Sequence, residues 1–168
     1  MKNLLLTIMG FCCLTFAQAQ TENTALPSTV IKDLKTGNKV EFKDIIQPGK
    51  VTLISFWATW CVPCRKEIKN VSRNLKEWQE ETDFEYITVS MDESRSEGAA
   101  RGYSISQGWE FPSYIDVNSD LKRSLAFDNI PFAIIVDKNG KIIMRHSAYE
   151  EGGEYVMYDQ VKEAVAAK

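Results

Sequence analysis

Residues 56–67 read Phe56-Trp57-Ala58-Thr59-Trp60-Cys61-Val62-Pro63-Cys64-Arg65-Lys66-Glu67. The run that leads into this stretch, Val51–Trp57, is almost continuously apolar and rich in strand formers, which predicts a central strand buried on both faces. After the cysteines, apolar residues recur at spacings of three and four from Ile68 to Trp78, which predicts a helix with one apolar face. Cys61 and Cys64 therefore lie where a buried strand gives way to the start of a helix.

Further strand and helix patterns follow along the chain, and no repeat or low-complexity block interrupts them. The other predicted strands are residues 30–34, 39–42, 84–90, 111–116, 132–136 and 141–145. The other predicted helices are residues 93–107, a short helix opening at Ser119, and a closing amphipathic helix with Tyr158, Val161 and Val165 on one side. This order predicts the α/β class, with a central mixed β-sheet flanked by helices on both faces.

The N-terminal residues 1–19 are predicted to be an export signal that is cleaved after Ala19. Lys2 supplies the positive start, residues 4–16 an apolar run, and Ala17-Gln18-Ala19 a small-residue cleavage motif. The run is too short for a spanning helix, and no second long apolar stretch follows it. We therefore expect residues 20–168 to form one soluble domain that is periplasmic or otherwise extracytoplasmic. An uncleaved N-terminal anchor stays open as the alternative.

The chain has four cysteines, and cleavage of the signal would remove Cys12 and Cys13. A bridge between Cys61 and Cys64 closes a very small loop and restrains little chain entropy, which argues against a structural staple. A zinc site needs a closed set of ligands, and the chain has a single histidine, His146, and no second cysteine pair. The sequence therefore predicts a redox-active pair and no bound metal or cofactor.

A thiol attacks a disulfide only as the thiolate, so a redox cysteine needs stabilisation of its negative charge. At the cap of the helix, the Cys61 sulfur would meet unpaired amide donors and the positive end of the helix dipole. Cys64, one turn inside, is close enough to resolve a mixed disulfide formed at Cys61. Pro63 falls in the first helical turn, where its missing N–H costs nothing.

The formal net charge of the chain is −3, and loss of Lys2 with the signal makes the mature form slightly more acidic. This balance provides no electrostatic footprint for nucleic acid or for anionic lipid. We expect neither as a partner.

Residues 56–67 resemble the active-site segment of the thioredoxin superfamily, and more narrowly that of the TlpA/ResA-like extracytoplasmic thiol-disulfide oxidoreductases. The resemblance covers nearly the whole mature chain, because Ile130-Pro131 falls where the family keeps its cis-proline loop. It implies a thioredoxin fold with an N-terminal β-hairpin extension and a helical insert before the third main strand. We expect that insert within residues 91–112.

The resemblance also implies a substrate-binding surface. Pro131 is expected to be cis and to face the cysteines, with the backbone of Ile130 pairing with an extended substrate; an ordinary turn proline is the alternative. The rest of the expected surface is Trp60, Val62 and Pro63. Trp60 either packs around the site or lies at its rim, whereas Trp57 is expected to pack.

Glu67 is the candidate proton carrier. By helical geometry it falls at the margin of the apolar stripe, and a carboxylate partly buried near two thiols would have a raised pKa and could carry protons for Cys64. The TlpA/ResA-like group has a glutamate at the matching place, although a first-turn glutamate also stabilises a helix by charge alone. Ser55 stands where cytoplasmic thioredoxins carry a buried aspartate, and serine cannot act as that base.

The predicted function is the reduction of protein disulfides by a monomer that is recharged by a membrane-bound or soluble dithiol donor. Partners would then be disulfide-containing or thiol proteins. One alternative is a copper-handling binding module of the same fold, although the family examples have wider cysteine spacing. Another is a peroxiredoxin-like peroxidase, whose nucleophile usually follows a threonine or serine three residues earlier; Ala58 stands there.

Overall fold

The structure is a computed structural model that describes residues 24–167. The predicted signal, with Cys12 and Cys13, lies outside the described residues. The strands are β1 (Thr24–Ala25), β2 (Val30–Asp33), β3 (Lys39–Glu41), β4 (Val51–Trp57), β5 (Phe84–Ser90), β6 (Ser113–Ile115), β7 (Phe132–Val136) and β8 (Lys141–Ser147). The α-helices are α1 (Val62–Glu81), α2 (Glu97–Ser106), α3 (Asp120–Ser124) and α4 (Gly153–Ala166). Single 3-10 turns occupy Phe42–Asp44 and Ser94–Ser96.

The strands form one mixed sheet in the order β1-β8-β7-β4-β5-β6-β2-β3. Strand β4 lies in the interior of the sheet, parallel to β5 and antiparallel to β7. Its pairing with β5 runs from Val51 opposite Phe84 to Trp57 opposite Ser90, so the carboxyl ends of these two strands lie side by side. This edge of the sheet is where α1 begins.

The alternation of side chains along β4 divides the core into two layers. Val51, Leu53 and Trp57 point to the face covered by α1, α2 and α4. Ile54 and Phe56 point to the opposite face, where α3 and the Phe42–Asp44 turn pack. Every residue of β4 is buried, which confirms the prediction of a central strand covered on both faces.

The N-terminal hairpin and the helical insert are both present, and Lys32 of β2 forms an ion pair of 2.7 Å with Glu97 of the insert. Strands β2 and β3 pair as the predicted hairpin, and β6 ties that hairpin to the sheet by pairing antiparallel with β2 and parallel with β5. Helix α2 is the predicted helical insert, and it begins at Glu97 rather than at residue 93 because a 3-10 turn precedes it. Tyr103 of α2 packs against Trp57, with ring centroids 5.5 Å apart.

Candidate active site

Cys61 and Cys64 lie at the first turn of α1. Cys61 is the N-cap residue, with extended backbone angles, and its Sγ accepts a hydrogen bond of 3.3 Å from the backbone N–H of Cys64. Pro63 occupies the first turn, as predicted, where no N–H is needed. The two cysteines form a disulfide with a Cα–Cα distance of 5.3 Å, and both are buried. The structure therefore represents the oxidised form of the pair.

The N-terminus of α1, where the cysteines lie, has a positive electrostatic potential. Helix α1 is 20 residues long and has no acidic residue in its first turn. The unpaired N–H groups and the aligned peptide dipoles of such a helix favour negative charge at its N-terminus. After reduction, a Cys61 thiolate would sit at this end of the helix.

A loop between β4 and α1 sets the position of Cys61, and Asp92 holds that loop. Asp92, which is 1% exposed, accepts hydrogen bonds from the backbone N–H of Thr59 at 2.8 Å and from the Thr59 hydroxyl at 2.7 Å. It also accepts from the Ser90 hydroxyl at 2.8 Å. The loop is closed further by the backbone N–H of Cys61, which donates to the carbonyl of Ala58 at 3.0 Å.

The sequence patterns do not identify Asp92 as the residue that holds the loop before Cys61. The available signal was its place just after β5, because the carboxyl ends of neighbouring parallel strands meet at one edge of a sheet. Polar residues that directly follow two neighbouring parallel strands are therefore candidates for the same site.

Glu67 lies in the second turn of α1 rather than the first, on the same face as Cys64, and is 3% exposed. Its Oε1 accepts a 2.8 Å hydrogen bond from the hydroxyl of Ser55 on β4. Burial raises the pKa of Glu67 from its ordinary value of 4.5 to about 7; the Ser55 hydrogen bond lowers it and the negative charge of Glu154 raises it. Glu67 is more fully buried than the helical pattern predicts.

The five residues of the expected substrate-binding surface differ in exposure. Trp60 is 69% exposed, and with Ile130 it lines a cavity of about 200 Å³. Val62 and Pro63 are exposed on the first turn of α1 and do not line this cavity. Ile130 packs against the core layer that contains both cysteines. Pro131 is buried, and the Ile130–Pro131 peptide bond is cis.

The remaining aromatic and imidazole candidates, Trp57 and His146, are held by contacts within the protein. Trp57 is fully buried, as predicted, and contacts Tyr103 and Trp109. The ring of His146 on β8 is hydrogen-bonded to the side chain of Gln160. Within residues 24–167 no three His, Cys, Asp or Glu side chains are grouped to hold a metal ion.

The sequence of this chain matches the profile of a known protein family. The profile of the AhpC/TSA family matches residues 22–146, which is more than half of the chain. The chain belongs to the AhpC/TSA family.

Relatives of this AhpC/TSA family member include thiol-disulfide oxidoreductases. Thiol-disulfide oxidoreductase ResA of Bacillus thuringiensis (strain Al Hakam) is 31% identical over 117 residues, which cover 70% of this chain and 64% of that protein. ResA of Bacillus subtilis (strain 168) is 26% identical over 123 residues, which cover 73% of this chain and 65% of that protein. The chain thus spans slightly less than two thirds of the length of these curated relatives. The predicted resemblance to ResA-like proteins is confirmed.

Solved structures place this family member in the thioredoxin fold. An uncharacterized thioredoxin-like protein from Porphyromonas gingivalis has a TM-score of 0.74 and 37% identity, covering 85% of this chain and 94% of that chain. A thiol:disulfide interchange protein of the thioredoxin family from Chlorobium tepidum TLS has a TM-score of 0.66 and 23% identity, covering 88% and 100%. The second similarity shows the fold alone. The predicted thioredoxin fold is confirmed.

No helix within residues 24–167 of this family member has the length and apolar character that a membrane crossing requires.

Proposed function

We propose that this protein is an extracytoplasmic thiol-disulfide oxidoreductase that reduces protein disulfides through the Cys61/Cys64 dithiol. The observation that carries the proposal is the position of Cys61 as the cap of α1, with its sulfur accepting the backbone N–H of Cys64. A cysteine at a helix N-terminus has a stabilised thiolate, which is the nucleophile in disulfide exchange. The names of the ResA relatives support the same chemistry.

The reaction is two successive exchanges. The Cys61 thiolate attacks one sulfur of a substrate disulfide, which forms a mixed disulfide and releases the first substrate thiolate. The Cys64 thiol then loses its proton and attacks the Cys61 sulfur, which releases the second substrate thiolate and forms the Cys61–Cys64 disulfide. An external dithiol, soluble or membrane-bound, returns the pair to the reduced form and is itself oxidised.

Glu67 is proposed to move the proton of Cys64. The two side chains are one helical turn apart on the same buried face of α1. A carboxyl group with a pKa of about 7 has comparable protonated and ionised fractions near neutral pH. It can therefore take the proton when Cys64 attacks, and return it when the disulfide is opened.

The proposed substrate-binding residues are Trp60, Val62, Pro63, Ile130 and Pro131, of which Pro131 is buried and would act through the backbone of its neighbour Ile130. Support comes from the exposure of Trp60 and Val62 around the cysteines and from the cavity shared by Trp60 and Ile130. An extended polypeptide at Ile130 would add main-chain hydrogen bonds in the manner of an added strand. Its target disulfide would then lie over Cys61.

The proposed location rests on the signal pattern in residues 1–19. We propose that the mature chain, residues 20–168, acts outside the cytoplasm as a monomeric thioredoxin-like domain. Expression of the full chain in a bacterium, followed by cell fractionation and mass spectrometry, tests this. A periplasmic product beginning at Gln20 is expected, whereas an uncleaved product retained in the cytoplasm would contradict export.

The activity is tested by reduction of insulin disulfides with dithiothreitol as the electron source. The wild type is expected to accelerate the reaction, and Cys61→Ser to abolish the acceleration. Cys64→Ser is expected to accumulate a mixed disulfide with insulin, because Cys61 can still attack but the product cannot be resolved. Absence of both the acceleration and the trapped intermediate would overturn the proposal.

The same variants separate the alternatives. Peroxide consumption that survives loss of Cys64 would support a peroxidase instead. Stoichiometric tight copper binding without disulfide reduction would support a copper-handling module. The reduction potential of the Cys61/Cys64 pair distinguishes disulfide reduction from disulfide formation, and it is measured by counting thiols after equilibration in graded thiol buffers. A potential in the thioredoxin range supports reduction. A strongly oxidising potential means that the protein makes disulfides.

A further inference from the structure

A second buried carboxyl group, Glu154, lies on the helix that packs against α1. Glu154 is in the first turn of α4 and is 5% exposed. Its Oε2 accepts a 2.6 Å hydrogen bond from the hydroxyl of Tyr149 and a 3.0 Å hydrogen bond from the backbone N–H of Gly152. A buried carboxylate needs such donors, and here both come from the segment just before α4.

The Tyr149 hydroxyl links Glu154 to the helix of the cysteines. Asn70 of α1 donates a 2.8 Å hydrogen bond from Nδ2 to the Tyr149 oxygen, while the Tyr149 proton goes to Glu154. Asn70 is three residues after Glu67, and residues at that spacing lie on the same side of a helix. The chain Asn70–Tyr149–Glu154 thereby joins a buried carboxyl group of α4 to the side of α1 that carries Glu67.

The groups around Glu67 come from several elements. Ser55 donates to Glu67 from β4 and Cys64 precedes it on α1, while Tyr86 on β5, Tyr149 and Glu154 interact with it electrostatically. After burial, Ser55 lowers the pKa of Glu67 and Glu154 raises it. The neighbouring cation on α1, Lys66, is half exposed and pairs with Glu151 at 2.7 Å. Glu154 is therefore the charged group that opposes ionisation of Glu67.

We propose that Glu154 is a positioning residue of the redox site: Tyr149 and Asn70 hold its carboxyl group against α1, where its charge directs Glu67 to act as the proton donor to Cys64. The proposal rests on the disulfide exchange proposed above. When a donor thiolate attacks Cys61, the Cys61–Cys64 bond breaks, and the Cys64 thiolate takes the proton of Glu67. This leaves two carboxylates close together, which makes Glu67 a stronger base for the reverse transfer.

The test is Glu154→Gln, which retains a side-chain oxygen as acceptor for Tyr149 and Gly152 but removes the charge. Glu151→Gln is the matched control, because Glu151 lies in the same segment and is 74% exposed. The carboxyl carbon of Glu67 is titrated by NMR in the oxidised protein, so no redox activity is needed for this readout. A downward shift of the Glu67 pKa is expected in Glu154→Gln, with no shift in the control.

The second readout is the pH dependence of disulfide opening by dithiothreitol. The Glu67-dependent inflection is expected to move to lower pH in Glu154→Gln and to stay in place in Glu151→Gln. Glu154→Ala, which also removes the acceptor, serves to detect a purely structural role. If it lowers stability while Glu154→Gln leaves the Glu67 pKa and the pH profile as in the wild type, the inference is overturned.

Two combinations of results separate the role of Glu154 from the disulfide reductase activity. A reductase with an unshifted Glu67 pKa in Glu154→Gln would retain the function and refute the role of Glu154. A shifted pKa in a protein without disulfide activity would support the carboxyl coupling and refute the reductase.

Discussion

The hydroxyl of Ser55 donates a 2.8 Å hydrogen bond to Oε1 of Glu67, and both side chains are buried. This bond connects the central strand of the sheet to the helix that carries the cysteines. It also lowers the pKa of Glu67, in opposition to the larger effect of burial. In place of the aspartate found in cytoplasmic thioredoxins, the strand thus supplies a donor and the helix supplies the carboxyl group.

Replacing Ser55 by alanine is expected to raise the pKa of Glu67 above about 7, because the hydrogen bond that stabilises the ionised form is lost. The measurement is an NMR titration of the Glu67 carboxyl carbon in the oxidised protein. Thr52→Val is the control, since Thr52 is buried on the other face of the same strand. An unchanged Glu67 pKa in Ser55→Ala would contradict the assigned bond.

Glu67→Gln is expected to change how stability depends on pH. Because the folded-state pKa of Glu67 is raised, the wild-type contribution is fully present below about pH 4.5 and is lost as the pH rises through about 7. At about 1.4 kcal/mol per pH unit, the upper limit of this loss is about 3 kcal/mol by pH 8.

Urea unfolding of the oxidised wild type and Glu67→Gln between pH 5 and pH 8 tests this prediction. As the pH rises, the free energy of unfolding of Glu67→Gln should increase relative to that of the wild type. The difference between the two free energies of unfolding cancels the contributions of the other titrating groups. A difference that is constant across the range would show that Glu67 does not titrate there.

Asp92→Ala is expected to destabilise the protein by about 3 kcal/mol, because two donors of Thr59 and the Ser90 hydroxyl lose their buried acceptor. The reaction of the cysteines with dithiothreitol should also slow, since the loop before Cys61 is no longer held. Glu93→Ala, at an exposed neighbouring position, is the control. Equal unfolding midpoints for the two variants would refute the role of Asp92.

Trp60→Ala is expected to leave the free energy of unfolding within about 0.5 kcal/mol of the wild-type value, because the side chain is largely exposed. If Trp60 contacts substrate, kcat/KM for insulin should fall about tenfold, which corresponds to about 1.4 kcal/mol of lost binding. Ile105→Ala is the control, since Ile105 is also exposed but lies on α2. Identical insulin kinetics in the two variants would remove Trp60 from the substrate surface.

The order and type of the main elements could be predicted from local patterns. Strand β4 follows from a run of apolar residues, and α1 from apolar spacings of three and four, because burial of a strand or a helix face leaves those periodicities in the sequence. The predicted boundaries of the elements differ from the observed ones where a turn intervenes. The predicted strand at 111–116 is only β6, Ser113–Ile115, and the helix predicted from residue 93 begins at Glu97.

The start of a helix at the two cysteines can be read from the sequence alone, because Cys61 and Cys64 are near each other along the chain and local conformation suffices to place them. Their surroundings depend on tertiary contacts. Asp92 reaches Thr59 across 33 positions through the pairing of parallel strands. Tyr149 and Asn70 join Glu154 on α4 to α1. Such contacts depend on the sheet order and on helix docking, which leave no fixed spacing in the sequence.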